Sequence, residues 1–311
     1  MLTFKKIKSL HLHHTQNCDE YSKLSETYFE DDPQNFETLP YLPARAFKEF
    51  DLKSIDDSEI YKVMKSSGTS GKQSNNFLDR ENAISQEKTL SQINKKVLGS
   101  ERREMLILGN RSLLKESNAK KAAVTAYMRY SKNLVFSDDV DILSWIKLNS
   151  QKKILVFGFT FELYEVFKLL KCEKINVSDI IVLHGGGWKK LIDKSVSNSE
   201  FVDLFKNLFS NVKVINYYGM IEQLGSVFYR KDYSESFIES EYTKIIIRDE
   251  INMNILENGN IGLIQLISSL PKSYPGHSIL TDDLGLKNND NSFQVIGRQS
   301  KAEIRGCSDA K

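Results

Sequence analysis

The chain has 311 residues, 40% of them hydrophobic and 27% charged, a globular composition with length for one large core or two medium ones. Its 43 basic and 41 acidic residues nearly cancel and are interspersed, which gives no electrostatic reason to expect nucleic acid or an anionic membrane as partner. Cys18, Cys172 and Cys307 lie far apart and form no Cys/His ligand spacing, so neither a disulfide framework nor a zinc site is indicated.

The N-terminus "MLTFKKIKSLHLHH" lacks the apolar run of a signal peptide, and no stretch of about 18 apolar residues occurs; the expectation is a cytoplasmic protein without a membrane span. "HLHH" is read as a solvated or partly packed turn rather than a metal site. Residues 1–60 alternate charge and aromatics, with prolines at 33, 40 and 43, and read as helix followed by the extended "LPYLPARAF". Next comes "KSSGTSGKQSNNF" (65–77), too rich in Gly and Ser for a helix or strand interior and suited to wrapping polyphosphate with backbone N–H groups and hydroxyls.

From residue 104 the pattern becomes βα. "EMLILG" (104–109), "KKILVFGF" (152–159), "DIIVLHGGG" (179–187) and "VKVINYYG" (212–219) are apolar strands. Helical stretches follow them: "SLLKESNAKKAAVTAYMRY", "TFELYEVFKLLK", then "WKKLIDK" with "SEFVDLFKNLF", and last "MIEQLGSVF". Glycine-ended apolar strands separated by helical periods predict an α/β fold with a mostly parallel sheet, ligands binding at the carboxyl ends of its strands. From about 242 to 296, "YTKIIIRDEINMNILENGNIGLIQLISS" and its continuation read as consecutive strands, with a hairpin turn at "ENGN", forming a smaller β-rich subregion.

The serine–glycine loop is not a Walker loop: Ser66 stands where that motif needs its first Gly, and Gln73 follows Lys72. "HGGG" at 184–187 looks like an esterase oxyanion turn, but the chain has no GxSxG nucleophile elbow. What the loop does resemble is "SSGTSGK" of the adenylate-forming superfamily of acyl-CoA synthetases and luciferases. The later motifs of that superfamily follow in order: "YYGMIEQ" is similar to its YGxxE segment, "TDDLG" to TGDLG, and "GRQSKAEIRG" to its hinge segment. A narrower resemblance, from about residue 35 onward, is to the LuxE-type acyl-protein synthetases, carried by "LPYLPARAFKE", "HGGGWKK", "YYGMIEQ", "HSILTDDLG" and "RGCSD".

The resemblance implies a single catalytic domain over 1–311, equivalent to the large N-terminal domain of the superfamily, with a hinge-like tail from 297 and no C-terminal lid. It implies ATP-dependent activation of a carboxylic, by family a fatty, acid to acyl-AMP with Mg²⁺. Transfer to a protein thiol follows, and then delivery to an acyl-CoA-reductase-like (LuxC-type) partner or a carrier protein. Ser66, Ser67, Gly68, Thr69, Ser70, Gly71 and Lys72 would hold the phosphates, and Glu222 the Mg²⁺. Tyr218, beside Gly219, would stack on adenine, while the plainer reading makes one of Tyr217 and Tyr218 a strand-end core residue. Gly185, Gly186 and Gly187 would admit adenosine closely, since a Cβ would intrude. Asp283 would accept the ribose hydroxyls, Arg298 would touch ribose or phosphate, and Cys307 would accept the acyl group. His277 is read as a packed structural histidine.

Three positions depart from the superfamily pattern: Ile221 replaces the threonine before the glutamate, Asp282 replaces the glycine before Asp283 and offers a second acid for the sugar, and Ser300 replaces the hinge aspartate. Two other readings stand beside the first: an acyl-CoA or carrier-protein ligase of the phenylacetate-CoA ligase type, and a non-catalytic nucleotide-binding subunit. The aromatic "FGFTFELYEVF" (157–167) could line an acyl pocket, though its helical spacing suits ordinary core equally.

Overall fold

The computed structural model describes residues 1–29, 32–66, 72–115, 119–170, 172–187 and 195–299. In chain order the helices are α1 (Phe4–Asn17), α2 (Asp19–Tyr28), α3 (Ala46–Glu49), α4 (Arg80–Leu98), α5 (Ala119–Met128), α6 (Ile142–Leu148), α7 (Thr160–Phe167) and α8 (Asn198–Leu208). The strands are β1 (Leu42–Pro43), β2 (Lys62–Lys65), β3 (Asn75–Leu78), β4 (Arg103–Ile107), β5 (Ser131–Phe136), β6 (Lys153–Phe159), β7 (Asp179–Gly185) and β8 (Val212–Gly219), then β9 (Val227–Lys231), β10 (Phe237–Ile238), β11 (Thr243–Arg248), β12 (Gly262–Ser268), β13 (Ser278–Lys287) and β14 (Ser292–Arg298). These pack as two compact units. Of the described residues, one unit holds those within 1–93, 219–228 and 236–299, and the other those within 94–218 and 229–235.

The second unit is the parallel part. Strands β5, β4, β6, β7 and β8 lie side by side in that order, each neighbouring pair parallel. β4 is buried throughout, as are β6 and β7 beyond their first residue, which is why these strands read as unbroken apolar runs rather than alternating ones. Helix α8 covers the sheet with Phe201, Val202, Phe205 and Leu208, spaced along one face of a 3.6-residue period. Its start is fixed by a capping box in which Ser197 and Glu200 satisfy each other's backbone N–H groups. Phe157, Leu163 and Phe167 of the aromatic run are fully buried, and Leu163 and Phe167 belong to this core.

The first unit is antiparallel where the sequence places its β-rich subregion. β11, β12, β13 and β14 pair in succession, β10 adds to β14, and β1 runs parallel to β13. The connection after β11 is longer than a hairpin at "ENGN" alone: Asp249 makes its own turn and the left-handed Gly259 (φ 88°) closes another before β12. Beside this sheet, β2 and β3 pair antiparallel in register Lys65↔Asn75, so the described residues on either side of the serine–glycine run lie next to each other.

Three predicted helices are corrected or bounded. "SLLKESNAKKAAVTAYMRY" is not one helix: a short 3₁₀ turn, Arg111–Leu114, precedes α5. "MIEQLGSVF" forms a 3₁₀ turn, Ile221–Gln223, and then enters β9, because Gly225 takes a left-handed conformation (φ 83°) that ends helical continuation. "WKKLIDK" lies outside the described residues. The histidines of "HLHH" sit in the body of α1, and His11 and His14 are buried rather than solvated. Among the described residues no helix is long and apolar enough to cross a membrane.

Candidate active site

Within the first unit, the chemistry gathers at the root of the serine–glycine loop. Ser66 N–H donates to the Ser74 carbonyl at 3.1 Å, and Ser74 N–H donates to Ser66 Oγ at 2.8 Å, so the two ends of the loop are clasped. The Ser74 hydroxyl, with no exposed surface, donates to Glu222 Oε1 at 2.7 Å. Glu222 is itself 5% exposed and sits in the 3₁₀ turn that follows β8.

That turn is pinned from two sides. Asn76 Nδ2 on β3 donates to the Ile221 carbonyl at 2.9 Å, and Gln223 Nε2 reaches the carbonyls of Leu266 at 3.1 Å and Gly276 at 3.0 Å. Gly276 packs so closely that a Cβ there would lie 2.7 Å from the Glu222 carbonyl oxygen. A buried carboxylate on a turn fixed by so many bonds has little freedom to move, as a preorganised ligand requires.

Lys72, at the far side of the loop, is exposed and pairs with Glu49 of α3 at 2.7 Å. Such a surface pair is weak in water and exchanges readily for another anion. Asp283 and Arg298 face each other across β13 and β14, with Arg298 Nε 2.7 Å from Asp283 Oδ1. Asp283, the acid that the motif points to, thus meets the arginine directly. A carboxylate offers about four lone-pair sites, so this bond is compatible with further donors.

The second unit holds the glycine turn and the tyrosines. The Thr160 hydroxyl donates to the Gly186 carbonyl at 2.6 Å and lies 2.9 Å from His184 Nδ1; His184 stacks on Phe201 with ring centroids 4.2 Å apart. Burial first, and then the positive charge of Arg230, lower the His184 pKa to about 3, so it is a neutral core imidazole. Gly186 is left-handed (φ 75°). Beside Gly185 the expected opening for adenosine is filled: a Cβ there would stand 2.3 Å from the Tyr217 ring, which also stacks on Phe157. Tyr217 packs within the unit, and the space spared by Gly185 goes to that ring. At Gly187 nothing among the described residues comes within 4 Å of where a Cβ would be.

Ser67, Gly68, Thr69, Ser70, Gly71 and Cys307 lie outside the described residues. Two features escaped the sequence reading. One is Ser74, a serine among several, whose partner Glu222 is 148 residues away. The other is a buried histidine cluster. Tyr21 Oη stands between His11 Nδ1 (2.8 Å) and His277 Nε2 (3.2 Å), and His14 stacks on His277 while its Nδ1 meets Ser54 Oγ at 2.8 Å. No group of three or more His, Cys, Asp or Glu suited to hold a metal occurs among the described residues. A lone buried carboxylate nevertheless fits Mg²⁺, a hard cation commonly bound by one or two carboxylates together with substrate phosphates.

The fold is that of the adenylate-forming ligases. The chain superposes on an open 2-hydroxyisobutyryl-CoA ligase holding 2-HIB-AMP and CoA with a TM-score of 0.70, at 12% identity, over 96% of this chain and 69% of that one. It superposes on ATP-bound MatB from Rhodopseudomonas palustris with a TM-score of 0.57 at 14% identity, over 79% of this chain but 49% of that one, so it spans about half the length of MatB. The particular family is narrower. Residues 2–311 match the family described as acyl-protein synthetase, LuxE, and the chain belongs to that enzyme family. Among relatives, it is 24% identical to the long-chain-fatty-acid–luciferin-component ligase of Vibrio harveyi, over 98% of this chain and 86% of that protein.

Proposed function

We propose that this protein uses ATP to convert a long-chain fatty acid to its acyl-adenylate and then passes the acyl group to the thiol of Cys307. The observation that carries the first step is the buried Glu222 carboxylate, held by Ser74 at the clasped root of the loop. The family and the name of the Vibrio relative support the acid and its fatty character.

In this reading a carboxylate oxygen of the acid attacks the α-phosphorus of ATP, the bond to pyrophosphate breaks, and acyl-AMP forms. Two anions must meet, so donors fixed in advance contribute most as charge builds in the transition state. The hydroxyls and N–H groups of Ser66, Ser67, Gly68, Thr69, Ser70 and Gly71 surround the phosphates, and Lys72 leaves Glu49 to pair with them. Glu222 would hold Mg²⁺, which when bound neutralises phosphate charge. Tyr218 stacks on adenine beside Gly219, Asp283 accepts the ribose hydroxyls and Arg298 steadies them. The Cys307 thiolate, having lost its proton to solvent, then attacks the acyl carbonyl carbon. AMP departs and a thioester remains, to be passed to an acyl-CoA-reductase-like partner.

The test is ATP–pyrophosphate exchange over a panel of carboxylic acids graded in chain length. Long-chain acids should stimulate exchange, and Glu222→Gln should lower it by about 10²-fold or more, the scale of one preorganised contact. Exchange that no acid stimulates would refute the reading.

A further inference from the structure

The Ser74 hydroxyl has a place in the site that the family motifs do not assign. It is fully buried and donates to one oxygen of a buried carboxylate, while its own backbone is bonded on both sides to Ser66. An ionised carboxylate only accepts hydrogen bonds, and a donor on one oxygen fixes the plane in which the other can act. Among the described residues, the side-chain hydrogen bond that Glu222 accepts comes from Ser74. Without it, a Glu side chain on a short turn rotates about its terminal torsion, which is broad and roughly two-fold.

We propose that Ser74 is a positioning residue that orients Glu222 toward Mg²⁺ and couples that orientation to the serine–glycine loop. The proposal rests on the reading of Glu222 as the metal-binding carboxylate. Its logic is that of any residue that fixes a metal ligand in place: the cation meets a carboxylate already turned toward it. The clasp to Ser66 adds a consequence. A nucleotide contact made at Ser66 reaches Glu222 through Ser74, so nucleotide and metal should be felt together.

The experiment titrates ATP into the full chain by calorimetry at graded Mg²⁺ and measures ATP–pyrophosphate exchange over the same range. Ser74→Ala should raise the Mg²⁺ concentration needed for half-maximal ATP binding by about 10- to 100-fold, the usual effect of removing such a partner. Binding at saturating Mg²⁺ should stay near that of the parent protein, and Ser74→Thr, which keeps a hydroxyl, should restore the Mg²⁺ dependence. Should Ser74→Ala fail to fold, Ser74→Cys keeps the size and weakens the donor, and the same shift is expected. Unchanged Mg²⁺ dependence in the folded variant, while Glu222→Gln displaces it, would overturn the role of Ser74 and leave the proposed function standing. If Glu222→Gln also leaves it unchanged, the metal reading of Glu222 falls, and the Ser74 proposal with it. An equal shift in Ser74→Thr and Ser74→Ala would overturn the proposal as well, since packing would then be the cause.

Discussion

The histidine cluster in the first unit should make the protein sensitive to mild acid. His14 has no exposed surface, and burial first, then the neighbouring imidazoles of His13 and His11, lower its pKa to about 3; burial and its histidine neighbours push His277 well below its ordinary value. Between about pH 3 and the ordinary 6.5, the unfolded chain therefore binds a proton at His14 that the folded chain does not, and His277 acts in the same direction. The stability they carry is complete above about pH 6.5 and is lost as the pH falls toward the folded value. pH 5 lies about 1.5 units below the pKa of an unfolded imidazole, and at about 1.4 kcal/mol per unit His14 alone costs roughly 2 kcal/mol. His277 adds to this loss in the same direction, against the roughly 5–15 kcal/mol that holds a typical domain together. Urea unfolding followed by circular dichroism at pH steps from 8 to 4.5 reads the slope. His14→Gln removes one titrating group and should flatten that slope by about one proton, or roughly 1.4 kcal/mol per pH unit, whatever its offset at pH 8. A variant with the parent slope would show that His14 takes up no proton on unfolding, and the reasoning from its burial would fail.

Other outcomes follow from single contacts. Gly185→Ala should lower stability by about 1–3 kcal/mol, because its Cβ meets the Tyr217 ring at 2.3 Å and that ring is backed by Phe157. Gly187→Ala meets no described neighbour and should leave the melting temperature unchanged, so a fall in ATP affinity in that variant reads the approach of nucleotide directly. Phe205→Ala, in the sheet-facing stripe of α8, should cost about 3–5 kcal/mol in chemical denaturation, since the side chain is wholly buried. Cys307→Ser, incubated with labelled acid and ATP, should keep forming acyl-AMP while losing hydroxylamine-labile protein label; persistent label would move the acceptor elsewhere.

What could be read in advance was what the chain states locally. The strands around Leu155, Val182 and Val214 are legible because a parallel sheet buries both faces and writes itself as an apolar run. The serine–glycine run stands out in the sequence because Gly and Ser disfavour helix and strand alike, and its residues 67–71 lie outside the described residues. The contacts that give these pieces their roles are long-range and leave no local mark. Ser74 is one polar residue in a polar stretch until the fold brings it to Glu222, 148 residues on. His277 meets Tyr21 across 256 residues, and nothing in "HLHH" distinguishes the two buried histidines from the half-buried His13 between them. At Gly185 local reasoning was sound and its object different: a missing Cβ does mark a close approach, and Tyr217 of the same chain makes it. Physical chemistry reads from sequence which groups must be satisfied. Which partner satisfies them depends on packing, and at Glu222 that partner is a buried serine hydroxyl from the loop that the motifs place on the phosphates.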